Sequence, residues 1–282
     1  MRKLLNTLYI NQPDVYLSLD GDNVVLLKEE EKLARLPLHN LESIVAFGYT
    51  GASPALMGYC AERNISLVFM TMNGRFLARV VGESRGNVVL RKKQYQIAED
   101  ERASAEVARN FIVGKLHNQK WILERMTRDY PQRIDIERFK DVSRQLSAAM
   151  QGARACDDLE LLRGIEGQAA YSYFKLFDNM ILQQKEEFEF RGRSRRPPLD
   201  KVNAMLSLAY TLLANDVASA LEGVGLDAYV GFLHRDRPGR ASLALDVMEE
   251  LRGVYADKFI LTMINKRLIG PDDFWVKENG AV

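Results

Sequence analysis

The stretch FLHRDRPGRASLALDVMEELR, Phe232 to Arg252, sets a histidine one loop away from a helix-forming run that carries acids on a single face. Asp246 and Glu249 are three residues apart and Asp246 and Glu250 four apart, spacings that turn side chains to the same side of an α-helix. Leu243, Leu245, Val247, Met248 and Leu251 surround them with apolar positions, so the helix reads as largely buried. Carboxylates clustered in such a place are costly unless a cation lies between them, and the pattern therefore points to a divalent-metal site. Pro238 and Gly239 read as a tight turn and Ser242 as the helix N-cap, which brings His234 back over the first turns. The plainer alternative makes His234 a loop-packing residue and the acids a solvated face.

A second acid sits upstream in LLRGIEGQAAYSYF, where Glu166 is flanked by Gly164 and Gly167. Glycine inside a helix costs about 1 kcal/mol relative to alanine, so something is expected to compensate. Close approach of another backbone or a ligand at these two glycines would bring Glu166 within reach of the His234 region. Ala170 and Tyr173 continue the face of Glu166, and a buried Tyr173 hydroxyl is a candidate to orient that acid or meet a phosphate. Asn203, on one polar strip with Ser207, is a second orienting candidate. Two basic clusters accompany the acids: Arg191, Arg193, Arg195 and Arg196 in one loop, and Arg235, Arg237 and Arg240 beside the proposed metal site. Clusters of this kind grip phosphates when they are not simply solvated charge.

The elements that must position these residues follow from composition and pattern. With 282 residues, 47% hydrophobic and 27% charged, the chain has globular composition and enough length for one large domain or two ordinary ones. The net charge of +1 excludes a uniformly basic nucleic-acid binder while leaving clustered charge free to act locally. The start lacks the apolar core and cleavage site of a signal peptide, and no run of about 18 apolar residues appears, so a cytoplasmic protein with no membrane association is expected. Cys60 and Cys156, far apart and in apolar settings, read as small buried residues.

The fold class expected is α+β: a small β-rich domain at 1–84, a linker at 85–91 and a larger all-α domain at 92–282. KLLNTLYI, VYLSLD, VVLLKE, KLARLPL, SIVAFG, ISLVFM and FLARVVG read as strands in a meander, the second and third joined by the turn at Gly21, Asp22 and Asn23. One helix interrupts them, capped by Ser53 with Pro54 at its first position. GESRG at Gly82 to Gly86 matches the G-x-S-x-G nucleophile pattern, but that motif needs βαβ context that a meander does not supply. Beyond Lys92 the period is helical: one helix from Gln94 to Arg128, one over 136–151, one capped by Asp157 or Asp158 and running to about Gln184, and a long apolar one opened by Leu199 or Asp200. His117 and Trp121, four apart, read as packing residues.

GIEGQAAYSYF, RPPLDKVNAMLSLAYTLL and GFLHRDRPGRASLALDVMEELR, in this order behind a β-rich domain, resemble the CRISPR-associated integrase Cas1, the enzyme of spacer acquisition, and the HRDRPGR wording is similar to its subtype I-C branch. The resemblance implies Glu166, His234 and Glu249 as catalytic metal ligands, with Asp246 as a second acid close to the metal. It further implies Mg or Mn as cofactor, a homodimer formed through the β domain, double-stranded and branched DNA as substrate, and a small Cas2 partner bridging two dimers. Members often continue past the equivalent of Val282, and the ending KENGAV carries no helix stop, so a truncated chain is expected.

Two carboxylates with one imidazole suit Mg or Mn, which polarise a phosphodiester and stabilise the leaving 3′-oxygen. A protospacer 3′-hydroxyl as nucleophile gives joining to the CRISPR repeat by transesterification; water gives endonuclease activity. In such a site the three ligands converge on a point about 2.0–2.3 Å from each ligand atom. Arg191, Arg193, Arg195, Arg196, Arg235, Arg237 and Arg240 are the expected backbone contacts, giving weak sequence readout and steep salt dependence. The competing readings are a non-enzymatic DNA-binding scaffold, in which the acids only stabilise a helix pair, and a phosphohydrolase of small phosphates. The latter is disfavoured because no P-loop or Gly-rich nucleotide fingerprint is present.

Overall fold

The computed structural model describes residues 6–29, 31–83, 88–276, 280 and 282. The chain separates into two compact units, Met1–Asn87 with Glu222–Gly225, and Val88–Leu221 with Leu226–Val282.

In the first unit β-branched and leucine residues alternate with polar ones, and the described residues form two sheets. Strands β2 (Tyr16–Asp20), β3 (Asn23–Lys28) and β4 (Glu31–Pro37) make the antiparallel meander, turning at Gly21 in the left-handed conformation. The other sheet departs from expectation. Its order is β1 (Asn6–Ile10), β5 (Leu41–Phe47), β6 (Ser66–Met70) and β7 (Phe76–Val80), with β1, β5 and β6 parallel and only β7 antiparallel. Helix α1 (Pro54–Glu62) is the crossover between β5 and β6, begun by the Ser53 hydroxyl accepting from the Leu56 amide at 3.2 Å. A parallel pair needs such a crossover, and the near-continuous apolar runs SIVAF and SLVFM are those of strands covered on both faces. Leu17, Val24, Ile44, Leu56, Cys60 and Leu67 form this unit's core. One βαβ unit therefore precedes the G-x-S-x-G stretch, whose Ser84 falls outside the described residues.

The second unit is helical. Helix α2 (Val88–Glu99) begins at Val88, so residues 88–91 are helical rather than linker. The expected single helix from Gln94 to Arg128 is broken at Asp100, whose carboxylate accepts from the Arg102 and Ala103 amides and caps α3 (Glu101–Asp129). Asp135 caps α4 (Ile136–Arg154), and Asp158 caps α5 (Leu159–Phe174). Helix α5 stops ten residues short of Gln184, because Phe174, Phe177 and Phe190 fold the chain back into an aromatic cluster. Helix α6 (Lys201–Gly223) follows, its Asn203 amide bonded to Asp200. By length and a mean hydropathy of 1.3, α6 is apolar enough to cross a membrane. Here Val202, Leu206, Tyr210 and Val217 of that helix pack in the helical core beside Ile112, Leu116, Phe139 and Leu162.

Helix α7 (Ser242–Leu251) and helix α8 (Lys258–Asn265) are joined by a π-helical turn, Arg252–Asp257. Ser242 is the first residue of α7 rather than its cap. Ala241 holds the cap position, and the Ser242 hydroxyl donates instead to the Arg235 carbonyl. Helix α3 packs against α4, α5 and α7, and that arrangement gathers the site residues.

Candidate metal centre

Glu166 on α5 and Glu249 on α7 meet at a third residue the sequence reading did not use, Lys115 on α3. The Lys115 ammonium donates to Glu166 Oε1 and, at 2.6 Å, to Glu249 Oε2. Its side chain is only 4% exposed, against 25% for Glu166 and 8% for Glu249. Close approach of α3 and α7 makes this reach available: a Cβ at Gly114 would stand 2.7 Å from Glu250 Cδ, and the Asn118 side chain donates to the Glu250 carbonyl at 2.8 Å. Glu250 itself thus lies against α3 rather than facing Glu249's partners.

Burial alone would push the Glu249 carboxyl up. Lys115, Arg252 and the charge of His234 overcome that and hold it at about 2, well below its ordinary 4.5. Arg252, on the first residue of the π turn, donates to Glu249 Oε1 at 2.5 Å and keeps its own charge firmly, its pKa raised by Glu249 against the opposing effect of burial. Glu249 is therefore a fixed anion with one oxygen on Arg252 and the other on Lys115.

Asp246 does something else. It is fully buried, and both its oxygens are taken: Oδ2 accepts from the Phe232 and Leu233 amides at 2.6 and 2.9 Å, and Oδ1 from the His234 amide at 3.0 Å. The His234 Nδ1 stands 2.6 Å from the same Oδ1. A carboxylate oxygen there requires the proton on Nδ1, which leaves the Nε2 lone pair directed away from Asp246. Asp246 is thus the residue that orients His234, and not a metal ligand; carboxylate-to-histidine pairing of this kind is the usual support of an imidazole ligand. The loop can lie this close because position 231 is glycine: a Cβ would stand 2.8 Å from Asp246 Oδ2 and 2.9 Å from the Ser242 carbonyl carbon. From the other side, Arg163 of α5 clamps the Leu233 carbonyl with two donors at 2.8 and 2.6 Å. Arg163, three residues before Glu166, was missed in the sequence, where it reads as ordinary helix-surface charge.

Behind the acids lies a second buried group. Asp257 accepts from the Tyr210 hydroxyl of α6, and burial pushes its carboxyl up in spite of Tyr210 and Arg252. Tyr173 is fully buried beside Asp257 with no well-aligned hydrogen bond of its own, and burial raises its phenol well above the ordinary range. Tyr173 therefore belongs to this layer and does not orient Glu166. Asn203, also fully buried, organises the Arg-rich loop: its Oδ1 accepts from Arg193 at 2.6 Å and from the Ser194 amide at 3.1 Å, and its Nδ2 donates to the Gly192 carbonyl at 2.8 Å.

The basic residues divide in two. Arg193 is half-buried on Asn203 and over the Tyr210 ring at 5.1 Å, so it builds the loop and is not free for phosphate. Arg240 donates to the Arg235 carbonyl and to Ser242, and it too holds a loop together. Arg191 and Arg235 are exposed in ion pairs with Glu189 and Glu160. Arg195, Arg196 and Arg237 are exposed without an ion pair among the described residues. His117 and Trp121 make an edge-to-face pair at 6.2 Å, as expected of packing residues. Two further expectations fail. A Cβ at Gly164 or Gly167 would meet nothing within 4 Å, so no backbone packs there. Nor, among the described residues, do three His, Cys, Asp or Glu side chains stand close enough to cage an ion, because the Lys115 ammonium holds the place between the glutamates.

The donor set fits a divalent cation nonetheless. Two carboxylates from separate helices converge on a buried cation, and an oriented imidazole lies close enough for its charge to act on Glu249. The molecule is thus a β-rich unit followed by a helical unit that carries a carboxylate and imidazole cation centre. The chain belongs to the CRISPR associated protein Cas1 family, whose model matches residues 8–282. It is 44% identical over 282 residues to the CRISPR-associated endonuclease Cas1 1 of Chlorobaculum tepidum, covering 100% of this chain and 82% of that protein. Its fold is shared with a casposase bound to integration product, with TM-score 0.81, 24% identity, and 98% and 77% of the two chains covered. It is likewise similar to a chain of a Cas6-RT-Cas1–Cas2 complex, with TM-score 0.76, 23% identity, and 99% and 30% covered.

Proposed function

We propose that this protein is a Mg- or Mn-dependent DNA endonuclease and integrase of CRISPR adaptation. The carrying observation is the convergence of Glu166 and Glu249 on one buried cation position beside an imidazole whose Nδ1 is fixed by Asp246. In this reading Glu166, Glu249 and His234 Nε2 hold the ion, which when bound polarises a phosphodiester and stabilises the departing 3′-oxygen. The protospacer 3′-hydroxyl attacks phosphorus in the repeat strand, one P–O bond forms, the bond to the strand's own 3′-oxygen breaks, and the proton passes from the attacking to the leaving oxygen through solvent. Arg252 keeps Glu249 ionised, and Arg195, Arg196 and Arg237 neutralise backbone phosphates.

The endonuclease name of the Chlorobaculum relative supports the nuclease activity, and the shared fold of the casposase agrees with strand joining. The Cas1–Cas2 complex supports a Cas2 partner, the family resemblance supports a homodimer acting in the cytoplasm on double-stranded and branched DNA, and HRDRPGR supports the subtype I-C branch.

The scaffold alternative has one observation in its favour, since Lys115 already neutralises the two glutamates and ties α3, α5 and α7 together. A purely structural bridge, however, gives no reason to hold a half-exposed imidazole beside it with a fully buried carboxylate. Strand transfer of a 3′-hydroxyl oligonucleotide into supercoiled plasmid with Mn2+ separates the two. Loss on Glu166→Ala and on His234→Ala is expected; joining that persists in both leaves only the scaffold.

A further inference from the structure

We propose that Lys115 is a tethered counter-ion that fills the cation position between Glu166 and Glu249 and competes directly with a divalent ion for it. The inference rests on the metal reading above and adds to it the residue that sets the price of metal entry.

Charge bookkeeping around the site leads there. Glu166 and Glu249 supply two negative charges, and Lys115 and Arg252 supply two positive ones, all joined by hydrogen bonds. The centre is neutral as it stands, so a divalent ion added without any other movement would leave two unbalanced positive charges in a buried place, an arrangement costing several kcal/mol. One resident cation must leave. Arg252 is anchored by a planar fork on Glu249 and lies over the Tyr210 ring at 4.3 Å. Lys115 has a flexible stem, and its hydrogen bonds are to the two carboxylate oxygens the ion would need. Glu166, a quarter exposed, marks the side from which exchange takes place. Gly114 and Asn118 fix the α3 backbone against α7, so the exchange is a side-chain swing and not a helix movement.

The test uses the full chain. Calorimetric titration with Mn2+ of wild type, Lys115→Met and Glu166→Ala gives affinities, and melting in chelator and in Mn2+ gives the stability of each state. Lys115→Met is expected to bind Mn2+ at least about tenfold more tightly than wild type, a change of about 1.4 kcal/mol, and to melt lower in chelator, where the glutamates then repel each other. In wild type, acylation of Lys115 followed by mass spectrometry is expected to rise when Mn2+ is added, a readout that does not depend on the variant folding. Mn2+ binding to wild type that Lys115→Met leaves equal or weaker, or a Lys115 as protected with Mn2+ as without it, overturns the competition while leaving the metal centre standing. Absence of a Glu166-dependent Mn2+ site in wild type removes the metal reading and this inference with it.

Discussion

His234 Nδ1 and Asp246 Oδ1 stand 2.6 Å apart, and the same Asp246 also receives the amides of Phe232, Leu233 and His234. One carboxylate thus fixes both the loop and the imidazole it carries. Asp246→Ala would strand three buried N–H groups at about 1–3 kcal/mol each. It should lower the melting temperature far more than His234→Ala, whose side chain is 31% exposed. Where Asp246→Asn folds, Mn2+ affinity should fall about 10- to 100-fold, as when other supports of an imidazole ligand are removed. Equal melting of the Asp246→Ala and His234→Ala proteins would contradict this account.

Acid should unfold the helical unit through Glu249. Its carboxyl titrates near 2 when folded and near 4.5 when free, so its contribution is fully present above about 4.5 and is lost as pH falls toward 2. Denaturant melts across that window should show stability dropping with pH in wild type and a flatter profile in Glu249→Gln, at the cost of lower stability at neutral pH.

The glycines should sort by what surrounds them. Gly231→Ala forces a Cβ to within 2.9 Å of backbone at Ser242 and should cost about 1–3 kcal/mol together with activity. Gly164→Ala and Gly167→Ala place a methyl in open space on a helix and should each stabilise by up to about 1 kcal/mol. Chemical denaturation of the three variants checks the ordering. If Gly164→Ala or Gly167→Ala is stable yet binds DNA less well, that face of α5 is where the nucleic acid lies.

The arginines should part the same way. Arg195→Ala, Arg196→Ala and Arg237→Ala are expected to weaken DNA binding with little sequence preference and to lower the salt slope by about 1 each. Arg193→Ala should instead lower thermal stability, since it removes the partner of Asn203 and the cover of Tyr210. Salt-dependent affinity measurements alongside melting curves separate the two effects.

Much of this was legible in the residues. Asp246 and Glu249 at helix spacing with His234 one loop away, and Glu166 on an earlier helix, named the components because carboxylates in apolar surroundings demand a partner. What could not be read was which partner each acid takes. Lys115 sits in an ordinary amphipathic helix, GKLHNQ, and only packing of α3 on α7 aims its ammonium at both glutamates. The roles of Asp246 and Glu249 were separable only once the loop amides were seen to fill one and not the other. Arginine clusters carry no mark of which members are exposed, so Arg193 and Arg240 were misread. Parallel pairing of β1 with β5 was hidden because local alternation fits a meander equally well, and register across a crossover is a non-local property.

The π turn from Arg252 to Asp257 has a bearing on how this chain tolerates change in length. A π turn accommodates one residue more than the α-helical course around it. Deleting a single residue there would let the run close into regular α-helix and rotate everything after it by about 100° relative to what precedes it. Arg252 would keep Glu249, but Asp257 would swing away from Tyr210, so the extra residue acts as a spacer that lets one helix serve two polar layers at once.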